Sequence, residues 1–394
     1  MSSTTLSSHS SRNAKLRPIS KRKLSSSDAA KSGAVIETHE QIGDFRILFT
    51  LKHNGRARVK NPFRCLISIS AVAALCISAI GPKSAKGQAP AESVASSPAQ
   101  IRALKITVLS TMLVGDILGL GEWGFSALVE ADGHRILLDT GGHPETVLQN
   151  ARDLNIDLSD VSDAILTHNH GDHVGGLMPL RREMMKKNPA ALSVAHVSRG
   201  IFYSRPSPEG EQNEMIGIRK DYEASGGKCI EHAEGFDIFP GAWLTGPVPR
   251  KYPERNWSPG GKVQTPSGLV EDNIPEDQSL VLNTSRGLVV LTGCGHAGII
   301  NILTYAKQRF PNQPAYGVVG GLHLFAASDE QLNWTGDKLK EFKAANLLGA
   351  HCTGIEAVYR LRERAGLTRK SAIVGSVGSM FTLGEGIRAG MLAK

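Results

Sequence analysis

The chain has 394 residues, of which 41% are apolar, enough to bury the core of one large domain or of two smaller ones. Its formal net charge is +8, but residues 1–64 hold 13 Lys and Arg against 4 Asp and Glu, so the remainder is close to neutral. This distribution excludes a phosphate-tracking surface on the folded part, and we expect no nucleic-acid partner.

The basic N-terminal arm, residues 1–64, is predicted to be disordered because its first 33 residues are rich in Ser and Lys and hold few large apolar side chains. Two further interpretations remain open. The arm has the composition of an organellar transit peptide. Alternatively, the true start lies further along the chain at a codon other than Met, since no Met occurs between Met1 and Met112.

Residues 65–91 have the layout of a secretory signal peptide. A basic flank precedes an uncharged apolar run at residues 65–81, and Ala89 and Ala91 form an A-x-A exit before Glu92. We therefore predict export to the periplasm or the medium, with cleavage before Glu92. The alternatives are an uncleaved membrane anchor, which would be the protein's contact with a membrane, and a buried core helix.

Residues 92–394 have the composition of a globular catalytic domain. Apolar alternation and helical spacing predict strands at 104–110, 125–131, 134–138, 163–168, 278–284, 287–293, 315–321, 346–351 and 371–376, and helices at 144–154, 297–308, 334–345 and 354–365. The polar, Gly- and Pro-rich residues 180–275 are predicted to be long loops with a few strands, such as 236–246. This order predicts an α/β fold, an αββα sandwich of two sheets flanked by helices.

The stretch LTHNHGDHVGGL places His168, His170, Asp172 and His173 directly after a predicted strand. Alternate residues of an extended turn point the same way, so His168 and His170 can converge on one ion. Gly171 lets the chain turn back, and Asp172 and His173, at the start of a helix, can face a second ion. Two ions about 3.5–4 Å apart can share a bridging hydroxide that acts as a nucleophile at neutral pH.

Later strand ends supply further donors. Cys294 and His296 follow one strand in LTGCGHAG, His323 follows the next in GGLHL, and His351 and Cys352 follow the third in GAHCTG. Successive strand ends that carry His are what a site at one edge of a sheet requires. The sequence therefore predicts two divalent ions, zinc by preference, although iron or manganese fits the same donors.

Together with ILLDTG, these motifs resemble the metallo-β-lactamase-fold superfamily over residues 104–380. EWGFSALVE, TGCGHAGIINIL, GGLHL and HCTG further resemble its branch of 7,8-dihydropterin-6-yl-methyl-4-(β-D-ribofuranosyl)aminobenzene 5′-phosphate synthase-like proteins. The resemblance implies that His168, His170 and His296 bind one ion and that Asp172 and His173 bind the other. Its last histidine ligand is either His351, which we favour, or His323. Cys294 stands where many relatives have a bridging Asp, so either it ligates or water alone bridges. Asp139 would orient a ligand His, and His323 would line the pocket or act as an acid.

Other motifs are interpreted as structural. Gly119, Gly121 and Gly124 fit G-x-G-x-x-G, but a strand is predicted after them instead of a helix, so no nucleotide cofactor is expected. This loop is instead expected to edge the site, with Trp123 available to substrate. A Cys294–His296 nucleophile pair is disfavoured because neighbours two residues apart after a strand seldom reach hydrogen-bonding geometry. Surface or structural roles are expected for His134, His196 and His232, whereas His143 follows DTGG and is expected near the site.

Three functions fit this sequence. The first is a dinuclear-metal hydrolase that directs a metal-bound hydroxide at an ester, phosphoester or amide of a small molecule. The second is a transferase of the kind that gives the branch its name, which joins an activated pterin to an arylamine ribose phosphate. A binding module without catalysis is disfavoured because the donor set is nearly complete. The sequence leaves the substrate and the oligomeric state open.

Overall fold

The computed structural model of the protein describes residues 98–393. The predicted basic arm and the predicted signal peptide or anchor lie outside these residues. Among the helices formed by residues 98–393, none has both the length and the apolar character needed to cross a membrane.

The first half of the described chain alternates strands with short helices. Its elements are β1 (Leu104–Ser110), β2 (Ser126–Ala131), β3 (His134–Leu138), α1 (Thr146–Asp153), β4 (Asp163–Ile165), α2 (Gly171–Val174), α3 (Leu177–Met184), β5 (Val194–Ser198), β6 (Pro206–Ser207), β7 (Gly210–Glu211), α4 (Met215–Ala224) and β8 (Lys228–His232).

The second half begins with hairpins and ends in strand–helix alternation. Its elements are β9 (Phe236–Phe239), β10 (Ala242–Leu244), β11 (Lys262–Thr265), β12 (Gly268–Glu271), β13 (Ser279–Thr284), β14 (Gly287–Thr292), α5 (Ile299–Arg309), β15 (Ala315–Gly320), α6 (Asp329–Glu341), β16 (Asn346–Gly349), α7 (Ile355–Arg364), β17 (Ala372–Val374), β18 (Met380–Thr382) and β19 (Gly386–Arg388).

Two large mixed sheets organise these elements. The first has the strand order β19-β18-β1-β2-β3-β4-β5-β8, and the second has the order β17-β16-β15-β14-β13-β10-β9. Strands β3, β4, β5 and β8 run parallel in the first sheet, and β14 to β17 run parallel in the second. Since helices connect these parallel strands, each sheet has an edge at which several strand–loop–helix junctions meet.

Three apolar layers hold the sheets and helices together. Side chains such as Ile106 and Val108 of β1 pack against Leu280 and Leu291 of the second sheet in the central layer. A second layer lies between the second sheet and α5 to α7. A third lies between the first sheet and α1, α3 and α4. Helix, sheet, sheet and helix layers therefore succeed one another, which confirms the predicted αββα sandwich.

The prediction of long loops for residues 180–275 is wrong in part. This section contains α4 and the strands β5 and β8, and both strands belong to the first sheet. The sequence pattern indicates these elements only weakly. Helix α4 buries only Met215 and Tyr222, and β8, at the sheet edge, has the mixed polar and apolar sequence KCIEH. A half-buried edge strand lacks the apolar alternation by which strands are recognised.

Candidate metal centre

The H-x-H-x-D-H motif lies at the carboxyl end of β4. After β4 the chain passes through Thr167, His168 and His170 before α2 begins at Gly171, so that Asp172 and His173 lie within this helix. His168 and His173 are completely buried. The predicted strand, turn and helix are thus all present, and the four side chains meet at one edge of the first sheet.

Parallel strands of the second sheet deliver the other donors to the same place. Cys294 and His296 follow β14, His323 follows β15, and His351 follows β16. His323 and His351 have left-handed backbones, with φ of 49° and 47°. Such backbones are costly for residues other than Gly and concentrate at functional sites.

Three histidines form the first donor group, which is His168, His170 and His296. Nε2 of His168 lies 3.0 Å from Nδ1 of His170. The His296 ring centroid lies 4.7 Å from that of His168 and 5.0 Å from that of His170. Three imidazole rings from two sheets therefore lie within about 5 Å of one another.

The second donor group contains Asp172, His173, His351 and Cys294. Oδ2 of Asp172 lies 3.2 Å from Nε2 of His351 and 3.7 Å from Nε2 of His173. The Cys294 thiol lies 3.1 Å from Nε2 of His173. The thiol is therefore a neighbour of the second group, and its partner is His173 and not the His296 of the disfavoured nucleophile pair.

Asp139 has the contact that the orienting role requires. Its Oδ2 accepts a hydrogen bond from Nδ1 of His173 at 2.7 Å, and its carboxylate also accepts from the backbone N–H and the hydroxyl of Thr167, both at 2.8 Å. A carboxylate at Nδ1 holds the proton there and leaves the Nε2 lone pair for an ion. Asp139 thus fixes both the tautomer and the orientation of His173.

These residues fit a divalent ion. Nδ1 of His296 donates to the carbonyl oxygen of Asn256, which leaves Nε2 as the free lone pair, and this buried Nε2 has no hydrogen-bond partner. His168, Cys294 and His296 present donor atoms within 4.8 Å of one another, as do His173, Cys294 and His351. An unpaired buried nitrogen is costly, and an ion among these donors would remove that cost.

Burial sets the protonation of the first group. Burial lowers the pKa of His170 to about 4. Burial, followed by the neighbouring histidines, lowers the pKa values of His168 and His296 well below their usual range. Although burial opposes it, the charges of Cys352 and Asp172 raise the pKa of His351 to about 9. Neutral imidazole is the form that binds ions, so the first group is ready to ligate at neutral pH.

Cys352, one of the donors predicted at the strand ends, is completely buried beside Cys294. Its Sγ lies 3.2 Å from Sγ of Cys294. Burial raises the pKa of both thiols, but the contact with Cys294 and the charge of His351 bring the pKa of Cys352 well below its usual value. The sequence indicates this position, because Cys352 is adjacent to the predicted ligand His351 at the same strand end.

A buried ion pair between Arg205 and Glu276 contacts the loop that carries the H-x-H-x-D-H motif. Glu276 is fully buried and accepts a hydrogen bond from Nη2 of Arg205 at 2.7 Å. Its other oxygen accepts from the backbone N–H of Asn169 at 3.3 Å. Asn169 lies between His168 and His170, so this pair fixes the loop that carries both. Nothing local in the sequence signals the pairing, because 71 residues separate its members.

Glu254, whose carboxylate lies against the first turn of α5, makes the free energy of unfolding depend on pH. Its buried carboxylate accepts from the backbone N–H groups of Ile300 and Asn301, and burial raises its pKa to about 7 from 4.5. The folded state therefore binds more protons than the unfolded state in this interval. The contribution of Glu254 to the free energy of unfolding is therefore complete below about pH 4.5 and is lost as the pH rises through about 7.

We expect this group to lower the free energy of unfolding by on the order of 2–3 kcal/mol across that interval. Glu254→Gln should make the dependence less steep by that amount, while Glu276, whose pKa burial also raises to about 7, still contributes. Urea unfolding of the metal-free protein at about pH 4.5 and about pH 7.5 measures the difference. An equally steep dependence in the variant would contradict the assignment to Glu254.

His134, His196 and His232 have the surface or structural positions expected of them. His196 hydrogen-bonds with His232 and Asp163, each at 3.0 Å, which confirms a structural role. The ring of His134 stacks on Phe239 with centroids 4.2 Å apart. His143 pairs with Glu122 at 2.9 Å, and its side chain is 76% exposed.

The glycine-rich loop borders the site. Strand β2 follows it, as predicted, so no helix begins where a pyrophosphate would lie. Trp123, in this loop, is about half exposed, and its ring lies 5.1 Å from that of His351 and 5.5 Å from that of Phe325. The two aromatic rings form an apolar rim beside the donor groups.

Comparisons with known proteins match the folded part of the chain. A model of the metallo-beta-lactamase superfamily matches residues 124–253, which contain the H-x-H-x-D-H motif. A 7,8-dihydropterin-6-methyl-4-(beta-D-ribofuranosyl)-aminobenzene-5'-phosphate synthase of Methanocaldococcus jannaschii is 29% identical over 245 residues, which are 60% of this chain and 82% of that protein. An uncharacterized protein of the same organism is 30% identical over 247 residues, 61% of this chain and 88% of that protein. A solved structure described as a metal-dependent hydrolase of the beta-lactamase superfamily is 28% identical, with a TM-score of 0.53, and the match covers 66% of this chain and 93% of that one.

Proposed function

Because the chain belongs to the metallo-beta-lactamase superfamily, we propose that it is a metal-dependent hydrolase that cleaves an ester, a phosphoester or an amide of a small molecule. The observation that carries the proposal is the unpartnered, buried Nε2 of His296, whose ring lies 4.7 Å from that of His168 and 5.0 Å from that of His170. Its Nδ1 is held by a backbone carbonyl, so the nitrogen left over is oriented as a ligand.

In this proposal some residues hold the ions and Asp139 orients one of the ligands. His168, His170 and His296 would hold one ion, and Asp172, His173 and His351 would hold a second, with zinc as the expected metal. Bound ions supply Lewis acidity to the scissile group and to an attacking water. Asp139 keeps the His173 ring in the ligating tautomer.

In this proposal His323 protonates the leaving group. Its half-buried ring lies 4.5 Å from that of His296 and 5.2 Å from that of Phe325, at the border between the donors and the apolar rim. From there an imidazole can give a proton to a leaving oxygen or nitrogen that lies against the rim.

The second candidate function is the transferase. It is favoured by the 29% identity to the synthase over 82% of that protein's length. In such a reaction the centre would hold a leaving diphosphate, the nucleophile would be an arylamine, and water would not attack. The two functions therefore differ in whether one substrate is sufficient for turnover.

A panel of single substrates tests the proposal. Metal-loaded full-length protein is offered an aryl ester, a bis-aryl phosphodiester and an anilide, each without a second substrate. We expect at least one to turn over about 100-fold faster than with metal-stripped protein, a difference of roughly 3 kcal/mol in barrier height. Product formation only when a pterin diphosphate and an arylamine are both present would contradict it and favour the transferase.

Trp123 is expected to contribute to substrate binding more than to the chemical step. Trp123→Ala removes an apolar ring from the rim, and we expect KM to rise about 10-fold, which corresponds to about 1.4 kcal/mol, with kcat within about threefold of the wild type. Steady-state kinetics on the substrate that the panel selects measure both constants.

Two variants control for general damage to the loop. Trp123→Phe should restore most of the binding, while Leu120→Ala, an exposed position of the same loop, should change neither constant. A fall in kcat at unchanged KM in Trp123→Ala would show that the ring acts on the chemistry instead.

A further inference from the structure

We propose that Cys294, Cys352 and His323 form a third, thiolate-containing position for a soft divalent ion, which shares Cys294 with the second donor group and which, when occupied, takes His323 away from the acid role proposed above. The inference rests on the proposed metal centre but not on its hydrolytic activity. Its ligand is the ion itself, of the zinc, cadmium or cobalt(II) type.

The three side chains come from three successive strand ends. Cys294 follows β14, His323 follows β15 and Cys352 lies in the short turn after β16. The two sulfur atoms are 3.2 Å apart, and one donor atom from each residue lies within 4.8 Å of the others. Parallel strands that are adjacent in the sheet thus deliver a Cys, a His and a Cys to one point.

His323 has a nitrogen to offer. Its Nδ1 is buried and has no hydrogen-bond partner, although burial without a partner costs free energy. The residue also adopts a left-handed backbone, with φ of 49°. An unpaired nitrogen next to two sulfur atoms is the independent indication of a ligand that two packed thiols alone would not provide.

Glycines make room for the sulfur atoms. A Cβ at Gly321 would lie 2.2 Å from the carbonyl oxygen of Gly293 and 2.9 Å from Sγ of Cys352. A Cβ at Gly293 would lie 2.4 Å from Oδ2 of Asp139 and 2.1 Å from the hydroxyl oxygen of Thr167. The end of β15 can therefore approach Cys352 only because Gly321 lacks a side chain, and the lack of one at Gly293 lets the end of β14 pack against Asp139 and Thr167.

The donor types decide which ion fits. Two thiolates and one imidazole leave a fourth position open, which is an arrangement found in zinc sites. Thiolate selects soft ions, whereas the histidine and carboxylate groups beside it also accept iron or manganese. On binding, the ion displaces the proton of each thiol, and two S–metal bonds form while the two protons pass to solvent.

Cobalt(II) absorption tests the assignment without any activity assay. Full-length protein, purified with a reductant and loaded with cobalt(II), should show a near-ultraviolet thiolate-to-cobalt band and a visible band from cobalt bound by histidine. Cys352→Ser and Cys294→Ser should each reduce the ultraviolet band by about half if each thiolate contributes one bond, and the double variant should abolish it.

The other thiols provide matched controls. Cys229→Ser, at a half-buried and distant position, and the pair Cys65→Ser and Cys76→Ser should retain the full ultraviolet band. Cys352→Ala serves as a second variant if the serine form is poorly folded, which circular dichroism of the metal-free protein reports. His323→Gln should shift the band, because it removes the imidazole donor.

The possible outcomes separate this inference from the proposed function. An ultraviolet band unchanged in both Cys352 variants would overturn it and leave Cys352 a packed thiol. A visible band without any ultraviolet band would overturn it while leaving the histidine centre intact. Loss of both bands in the wild type would contradict the proposed metal centre as well.

Discussion

Replacing both His168 and His170 by Ala is expected to remove most of the bound metal and to lower turnover by more than about 100-fold, since losing even an outer-shell partner of a metal ligand costs about 10–100-fold. The two rings converge with His296, so the double variant leaves one imidazole in the first donor group. Elemental analysis of the purified protein gives the metal content, and the aryl substrate of the panel gives the rate.

His134→Ala is the matched control, because this histidine lies on the surface and stacks on Phe239. It should keep both the metal and the activity. Full metal retention in the double variant would refute the assignment of the first donor group, whatever happened to turnover.

Arg205→Met is expected to destabilise the fold by roughly 3–5 kcal/mol, the cost of leaving one member of a buried ion pair without its partner. Arg205 is 5% exposed and lies 2.7 Å from Glu276 and 3.0 Å from Asp272. Glu276 is completely buried, and burial already raises its pKa to about 7 despite the charge of Arg205. Urea unfolding of the metal-free protein measures the loss.

Two further variants test whether the loss of stability arises from the buried Arg205–Glu276 pair. Arg135→Met breaks a pair with Asp160, whose side chain is 63% exposed, and should cost less than about 1 kcal/mol. Adding Glu276→Gln to Arg205→Met should recover part of the stability, because it removes the stranded charge. A cost for Arg205→Met no greater than that for Arg135→Met would show that the buried pair does not stabilise the fold.

The part of the centre that the sequence could predict is local. His168, His170, Asp172 and His173 follow one another within six residues, so a strand, a turn and the first turn of a helix suffice to place them. The histidines of the second sheet were predictable for a related reason. Each comes directly after an apolar strand, and parallel strands in one sheet bring their carboxyl ends to the same edge.

The parts that could not be predicted depend on contacts between distant segments. Arg205 and Glu276 are 71 residues apart, and Cys294 and Cys352 are 58 apart. Glu276 lies in the stretch EDNIPEDQ, whose composition indicates a solvent-exposed loop, and only the packing of that loop against the motif buries its carboxylate. Strand β18, which extends the first sheet by pairing with β1, is likewise a long-range pairing of only three residues.

The source of the oxygen in the product tests the central claim most directly. Metal-loaded full-length protein turns over the ester, phosphodiester or anilide selected by the panel in water enriched in oxygen-18, and mass spectrometry reads the acidic product. If the centre activates water, each turnover adds one labelled oxygen, and the rate at which labelled product forms falls with metal content in the His168→Ala/His170→Ala variant. An unlabelled product, or one that forms only when an arylamine is supplied, would contradict hydrolysis at this centre.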